Sequence, residues 1–292
     1  MTRWLLVLAL ACGFLPAAAP AQDAPALWSV RAAGKPGKVT LFGSFHLLPE
    51  DVRWRTDALD AALKEAAVIV FETDLAEAQD PAVMQPLMAR HGLLPPGQTL
   101  ASRLPADTWR ELEKLSAALG VPAQNLAPLR PWLAGLVLSL QFMREKGFDP
   151  ARGVEQQVTA WARSQGRSIS ALETTEEQLS IFAGLSREEE AAMLAVSLRQ
   201  IRETPRILAD MLSAYRRGDV AALDRVLNTS LDELPSLRRR LLRERHERWL
   251  PQIDSMLASN RATVVIVGAA HLVGPDSVPA MLRARGLQVE GP

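Results

Sequence analysis

Val39-Thr40-Leu41-Phe42-Gly43-Ser44-Phe45-His46 and Val264-Val265-Ile266-Val267-Gly268-Ala269-Ala270-His271 share one pattern. Each is a short, largely apolar run, then a glycine, two residues and a histidine. A short apolar run bounded by glycine reads as a strand buried on both faces, the kind found in a parallel sheet covered by helices. The two copies lie near opposite ends of the chain, so the intervening sequence reads as what brings them together. A histidine delivered just past a strand, twice, points to two imidazoles at one site.

Working outward, residues 26–31 and 38–42 are strand-like and are joined by Gly34, Pro36 and Gly37, which predicts a hairpin. A helix opens at Pro49-Glu50-Asp51, with Leu59, Ala62, Leu63 and Ala66 at helical spacing. The apolar run Val68-Ile69-Val70-Phe71 follows and ends in Glu72-Thr73-Asp74, completing a strand–helix–strand unit. Residues 80–147 read as helical; the helix at 131–145 is apolar on all sides at first but too short to span a bilayer, and reads as a buried core helix. A helix over 153–164 precedes a strand at 168–172 that ends in Glu173. Thr174 with Glu177, and Ser186 with Glu189, are capping-box patterns that open further helices. These run to about Leu257, with breaks expected near Pro205, Gly218 and Pro235. The last unit is a strand at 263–267, the second motif, a helix at 278–285 and a strand at 287–290. The expected fold is α/β: a small, mostly parallel sheet with an N-terminal hairpin and a large helical insertion packed over it.

The chain has 292 residues, with Lys+Arg and Asp+Glu both 33, a balance that gives no reason to expect a nucleic acid partner. Met1-Thr2-Arg3, an apolar stretch over 4–15 and Ala19-Pro20-Ala21 match the three regions of a cleaved signal peptide over residues 1–21. The mature chain is then a single domain, 22–292, expected to be periplasmic or secreted, without a stable membrane span. Cys12, the single cysteine, lies in that signal. Lipid attachment there is the less favoured alternative, because Ala9 stands where a larger aliphatic residue is expected. The mature chain has no thiol and no disulfide, and its core alone must hold it together.

In open α/β sheets ligands bind outside the carboxyl ends of the strands. Four strand ends here carry a coordinating or proton-transferring side chain: His46, Glu72, Glu173 and His271. Gly43 and Gly268 allow a sharp turn or a close backbone approach at two of them. Two imidazoles with one or two carboxylates suit a divalent ion such as Mn, Co, Zn or Fe, with a position left open for water. Such a water is acidified, and a remaining Glu can act as general base. Duller readings compete. A lone strand-end histidine is more often a structural hydrogen-bonding group. Glu72 can mark where a strand meets water, and Glu173 can be a helix N-terminal charge. His91, before Gly92, reads as a surface turn residue, and Ser44 lacks the second glycine of a nucleophile elbow. The arginine-rich run at 238–248 carries Leu241, Leu242 and Trp249 at helical spacing, which favours a solvated helix face over a nucleic-acid patch. Arg245 is its candidate inward member, suited to a carboxylate or an oxyanion.

With these residues in view, the chain resembles the TraB/GumN family, whose animal relatives are the Tiki metalloproteases. The resemblance rests on the two Gly-x-x-His motifs. Phe71-Glu72, Pro131-Trp132, Leu172-Glu173 followed by Glu177-Gln178-Leu179, Arg245 to Trp249 and, before the last strand, Arg285-Gly286 occur in the family's order. Ser44-Phe45 stands where Thr-Ile is commoner, and His246 where the family usually has Asn. The resemblance implies a fold like that of erythromycin esterase and ChaN-type proteins. It also implies a metal-dependent hydrolytic site, metalloprotease-like, built on His46, His271 and Glu72, with Glu173 and Arg245 as further members. The implied substrate is a peptide or another small molecule. The alternative is a protein that binds a peptide or haem in the same pocket without turning it over.

Overall fold

The computed structural model describes residues 24–292. The expected signal peptide at 1–21, and Cys12 within it, lie outside the described residues. Six strands form one sheet: β1 (Leu27–Arg31), β2 (Lys38–Ser44), β3 (Val68–Phe71), β4 (Ser168–Ala171), β5 (Ala262–Gly268) and β6 (Gln288–Glu290). Their order across the sheet is β4-β3-β5-β2-β1-β6. The expected hairpin is present, with β1 antiparallel to β2 and Val30 opposite Val39. β6 closes the far edge antiparallel to β1. The strands β4, β3, β5 and β2 run parallel to one another.

β5 lies between β2 and β3, so the two Gly-x-x-His motifs are next-door neighbours. They are offset by one residue: Gly43 stands opposite Val267, and Ser44 opposite Gly268. All four parallel strands end at one edge of the sheet, which carries Ser44, Glu72, Glu173 and the approach to His271.

Side chains alternate across a strand, and in β2, β3 and β5 both faces are buried. Phe42, Ile69, Phe71, Val264 and Ile266 pack beneath the helices Asp57–Glu65 and Val154–Ser164, through Leu59, Leu63, Val154 and Val158. Leu41, Val70, Val265 and Val267 pack on the other face against Trp249, Ile253, Leu257, Val278 and Leu282, from the helices Glu244–Ala258 and Val278–Ala284. This double cover is why the strands read as near-continuous apolar runs.

The helical insertion has a core of its own, in which Leu112, Ala134, Leu138, Leu194 and Leu198 meet. The break expected near Pro205 is absent: Arg187–Arg216 is one helix of 30 residues. An interior proline costs a helix one hydrogen bond and about 3 kcal/mol. Burial on both sides offsets that cost. Leu194, Leu198 and Ile201 lie in the insertion's core, and Met211, Ala214 and Tyr215 in the core against the sheet. The Tyr215 hydroxyl donates to the Gly43 carbonyl at 2.9 Å, tying this long helix to the first motif. The breaks near Gly218 and Pro235 fall as expected, flanking the helix Val220–Asp232. Among the described residues no helix is long and apolar enough to cross a membrane.

Candidate functional site

The first motif leaves the sheet after Ser44. Phe45 packs edge-on against Tyr215, with ring centroids 4.8 Å apart, and its carbonyl accepts from Val154 N at 3.1 Å. This delivers His46 beside the first turn of the helix Val154–Ser164. His46 is exposed, and its Nδ1 lies 2.9 Å from Glu155 Oε1. Ser44 Oγ donates to the same oxygen. Ser44 is therefore a prop for Glu155 and has no imidazole positioned to activate it.

The second motif behaves differently despite its identical spacing. Past Gly268 the chain coils into a single 3-10 turn, Ala269–Leu272, which buries His271. Asn228 braces the turn, its Nδ2 lying 3.4 Å from both the Ala270 and Val273 carbonyls. Neither motif glycine has a left-handed backbone; both are close-approach positions. A Cβ on Gly43 would lie 3.2 Å from Ala269 Cα, and one on Gly268 would lie 3.2 Å from Glu72 Oε1.

Glu72 stands at the end of β3, next to the second motif, and is almost fully buried. Its Oε1 accepts from Gly268 N at 2.6 Å, and its Oε2 accepts from Gln178 Nε2 at 3.0 Å and from Arg245 Nη2. Arg245 is 3% exposed, and its guanidinium lies 4.7 Å from the Trp249 ring centroid. Its Nε donates to Glu173 at 2.6 Å, and its Nη1 lies 2.9 Å from His271 Nε2. The helix carrying Arg245 is entered through a π turn, Arg239–Arg243, of the kind that often marks functional sites. The next residue, His246, is fully buried and also reaches His271, with its Nε2 2.8 Å from His271 Nδ1.

The charges follow from these contacts. Burial works against ionisation of Glu72, but His271, Arg245, His46 and the Gly268 N–H outweigh it and hold the carboxyl well below its usual range. Glu173 is raised by burial despite its pairing with Arg245. Burial also acts against the Arg245 cation, and the two carboxylates more than compensate. Burial pushes His271 well below the usual imidazole value, and His246 down to about 4. His46 moves the other way, to about 9, because Glu155 faces it.

Of the residues expected from sequence, Glu72, Glu173, His271 and Arg245 are in direct contact as one cluster. His46 sits at its edge, within the electrostatic reach of Glu72, Arg245 and His271, and bonds to Glu155 instead. His91 is corrected: it ends the helix Pro81–His91, is largely covered, and lies 3.2 Å from Glu176, while its carbonyl accepts from Trp132 Nε1. Gln178 entered the sequence reading only as part of the landmark Glu177-Gln178-Leu179, without a role, and Glu155 was not singled out. Nothing in a first-turn glutamate separates Glu155 from an ordinary surface position.

Imidazole and carboxylate groups are donors that a divalent ion would take. Each motif imidazole has Nδ1 taken by a neighbour, Glu155 or His246, an arrangement that orients metal-binding histidines. Glu72 Oε1 stands 3.5 Å from His271 Nε2. Among the described residues no three His, Asp or Glu side chains close on one point. The inward atoms of Glu72 and His271 are held by the Arg245 guanidinium.

The chain is 24% identical to Uncharacterized protein YbaP of Escherichia coli K12 over 243 residues, 83% of this chain and 87% of that one. It is 25% identical over 274 residues to an uncharacterized protein of Treponema pallidum, covering 89% and 80% of the two chains. It is also 24% identical over 321 residues to Metalloprotease TIKI2 of Danio rerio, covering 90% of this chain and 60% of that protein. No solved structure matches it. The model of the TraB/PrgY/gumN family matches residues 26–291, and the chain belongs to that family.

Proposed function

We propose that this chain is an exported, metal-dependent hydrolase of the peptidase type, working at the carboxyl edge of its sheet. The observation that carries the reading is the convergence of His271, Glu72 and Arg245 beside a His46 held by Glu155. His46, His271 and Glu72 would hold a divalent ion (Mn, Co, Zn or Fe), with Glu173 as a more remote carboxylate. Bound there, the ion would acidify a water and polarise a carbonyl. Glu72 is proposed either as a ligand of that ion or as the general base. Gly268 N–H, Gln178 and Arg245 fix its carboxylate, and their cost in orientation is met before substrate arrives. Arg245 offers a charged donor to an oxyanion or a substrate carboxylate. Glu155 keeps the His46 ring in one orientation.

An open cleft of 730 Å³ lies beside Glu173, lined by Thr174, Glu177, Arg240, Glu244 and Arg248, and is the proposed approach for a peptide or other small molecule. The similarity to a protein named a metalloprotease supports hydrolysis. The signal-like residues at 1–21 support export to the periplasm or beyond.

The test is a metal assay and a cleavage assay on one preparation. Protein purified without chelator, and protein reconstituted with Mn, Co, Zn or Fe, is measured for bound metal and incubated with a peptide library read by mass spectrometry. The expected result is bound metal that His46→Ala removes, and cleavage lost with EDTA and in Glu72→Ala. Protein that takes up none of the four metals rejects the metal. Cleavage that survives EDTA points to a metal-free hydrolase.

A second reading, binding of a peptide or haem without turnover, is favoured by the guanidinium that already holds Glu72 and His271. It expects His46→Ala and Glu72→Ala to abolish binding while no peptide is cleaved.

A further inference from the structure

Taking His271 as a site residue, which rests on the reading above, we infer that His246 fixes its tautomer and so presents the Nε2 lone pair of His271 to Arg245. Arg245 Nη1 lies 2.9 Å from His271 Nε2, His271 Nδ1 lies 2.8 Å from His246 Nε2, and His246 Nδ1 lies 2.7 Å from the Asp276 carbonyl. The two ends of this row are unambiguous. A guanidinium has N–H groups and no acceptor; a carbonyl has lone pairs and no proton. A neutral imidazole has one donor and one acceptor.

Only one assignment pairs every atom. Arg245 donates to Nε2 of His271, Nδ1–H of His271 donates to Nε2 of His246, and Nδ1–H of His246 donates to Asp276. Reversing either ring sets two N–H groups, or two lone pairs, against each other. A protonated ring in either place has two donors and breaks the row.

The surroundings enforce the choice. His246 is fully buried and His271 nearly so, so water is not at hand to repair a mismatch. Their rings meet edge to face at 76°, and the Trp249 ring lies against both, with centroids 5.5 and 4.9 Å away. Arg245 and His246 are consecutive on one helix. The His271 ring is thus gripped at one nitrogen by a donor and at the other by an acceptor from adjacent residues. His246 reaches the site only through His271 and is a positioning residue.

The experiment is long-range ¹H–¹⁵N correlation on the full chain labelled at histidine, freed of metal, at neutral pH. The His271 signals are assigned by their loss in His271→Gln. The expected wild-type pattern is a protonated Nδ1 and an unprotonated Nε2. In His246→Gln, whose side-chain oxygen can take the place of Nε2, the pattern persists. In His246→Leu it collapses to a mixture or to the Nε2–H form. An Nε2–H pattern in the wild type overturns the inference, as does an unchanged pattern in His246→Leu. If the leucine variant does not fold, the wild-type and glutamine spectra still decide it. The readout needs neither metal nor substrate. A chain that never cleaves a peptide can pass this test, and an active hydrolase can fail it.

Discussion

Arg245 donates from Nη2 to Glu72 and from Nε to Glu173, so one buried cation holds together the ends of two parallel strands. Removing one partner of a buried ion pair leaves uncompensated charge and costs about 3–5 kcal/mol. Arg245→Ala is expected to lower stability by about that amount, read as a drop in urea midpoint at unchanged m-value. Adding Glu173→Gln is expected to recover part of the loss, because it removes one of the stranded carboxylates. A single variant within experimental error of wild type would show that the cluster is not held by this guanidinium.

The two buried histidines make the metal-free fold sensitive to mild acid. In an unfolded chain both titrate near about pH 6.5. In the folded chain burial pushes His271 well below that and His246 to about 4. Between those values the unfolded state takes up protons that the folded state refuses. Their contribution is therefore complete above the unfolded value and is lost as pH falls toward 4, at up to about 1.4 kcal/mol per pH unit for each group. Glu173, raised by burial, acts in the opposite sense. The difference between wild type and His246→Gln isolates the histidine part. Urea melts at a series of pH values below neutrality are expected to show a shallower decline for the variant, and parallel curves would refute it.

Glu155 is the group that raises His46 to about 9. Glu155→Gln keeps the shape and removes the charge. The His46 ring, followed by its carbon-bound protons during an NMR pH titration of metal-free protein, is expected to move back toward about 6.5. If His46 holds an ion as proposed, the same variant is expected to weaken metal binding by about 10–100-fold, the usual consequence of losing a histidine's outer partner. Calorimetric titration with Mn or Zn checks this, and an unchanged affinity would detach Glu155 from the metal proposal.

Gly43 is expected to be intolerant of even a methyl group. In Gly43→Ala the new carbon would press on the backbone of Ala269 at 3.2 Å, and Ala269 opens the turn that delivers His271. Overpacking of this kind costs about 1–3 kcal/mol. Thermal melts would read it, and a variant as stable as wild type would mean that the turn can withdraw freely.

The doubly covered sheet was legible in the sequence because an apolar run, a glycine and a histidine occurred twice, and β2 and β5 proved to be adjacent. Glu72 and Glu173 were legible as the charges that end two other apolar runs. The longest helix was misjudged at Pro205, where local preference suggested a break and burial on both sides of the proline overrode it. Glu155 was not legible, because its partnership with His46 depends on how the chain returns after the strand β3 and a long run of helices, and no local spacing records that. The difference between the two motifs was also hidden. Identical spacing gives an exposed His46 in one and a buried His271 in the other, because only the second is coiled into a turn braced by Asn228.

The placement of β5 between β2 and β3 has a consequence for how the molecule is made. Until residues 262–268 emerge, β2 and β3 have no strand between them, and each presents an unpaired edge to the gap. Closing the gap joins segments far apart in sequence, which is slow compared with local helix formation. A chain released short of β5 would therefore be a sticky, half-built sheet, and it would lack His271. The contacts of Arg245 and Glu72 with His271 and Gly268 form only after β5 and the turn behind it are made, so a chain cut short of them lacks the complete cluster.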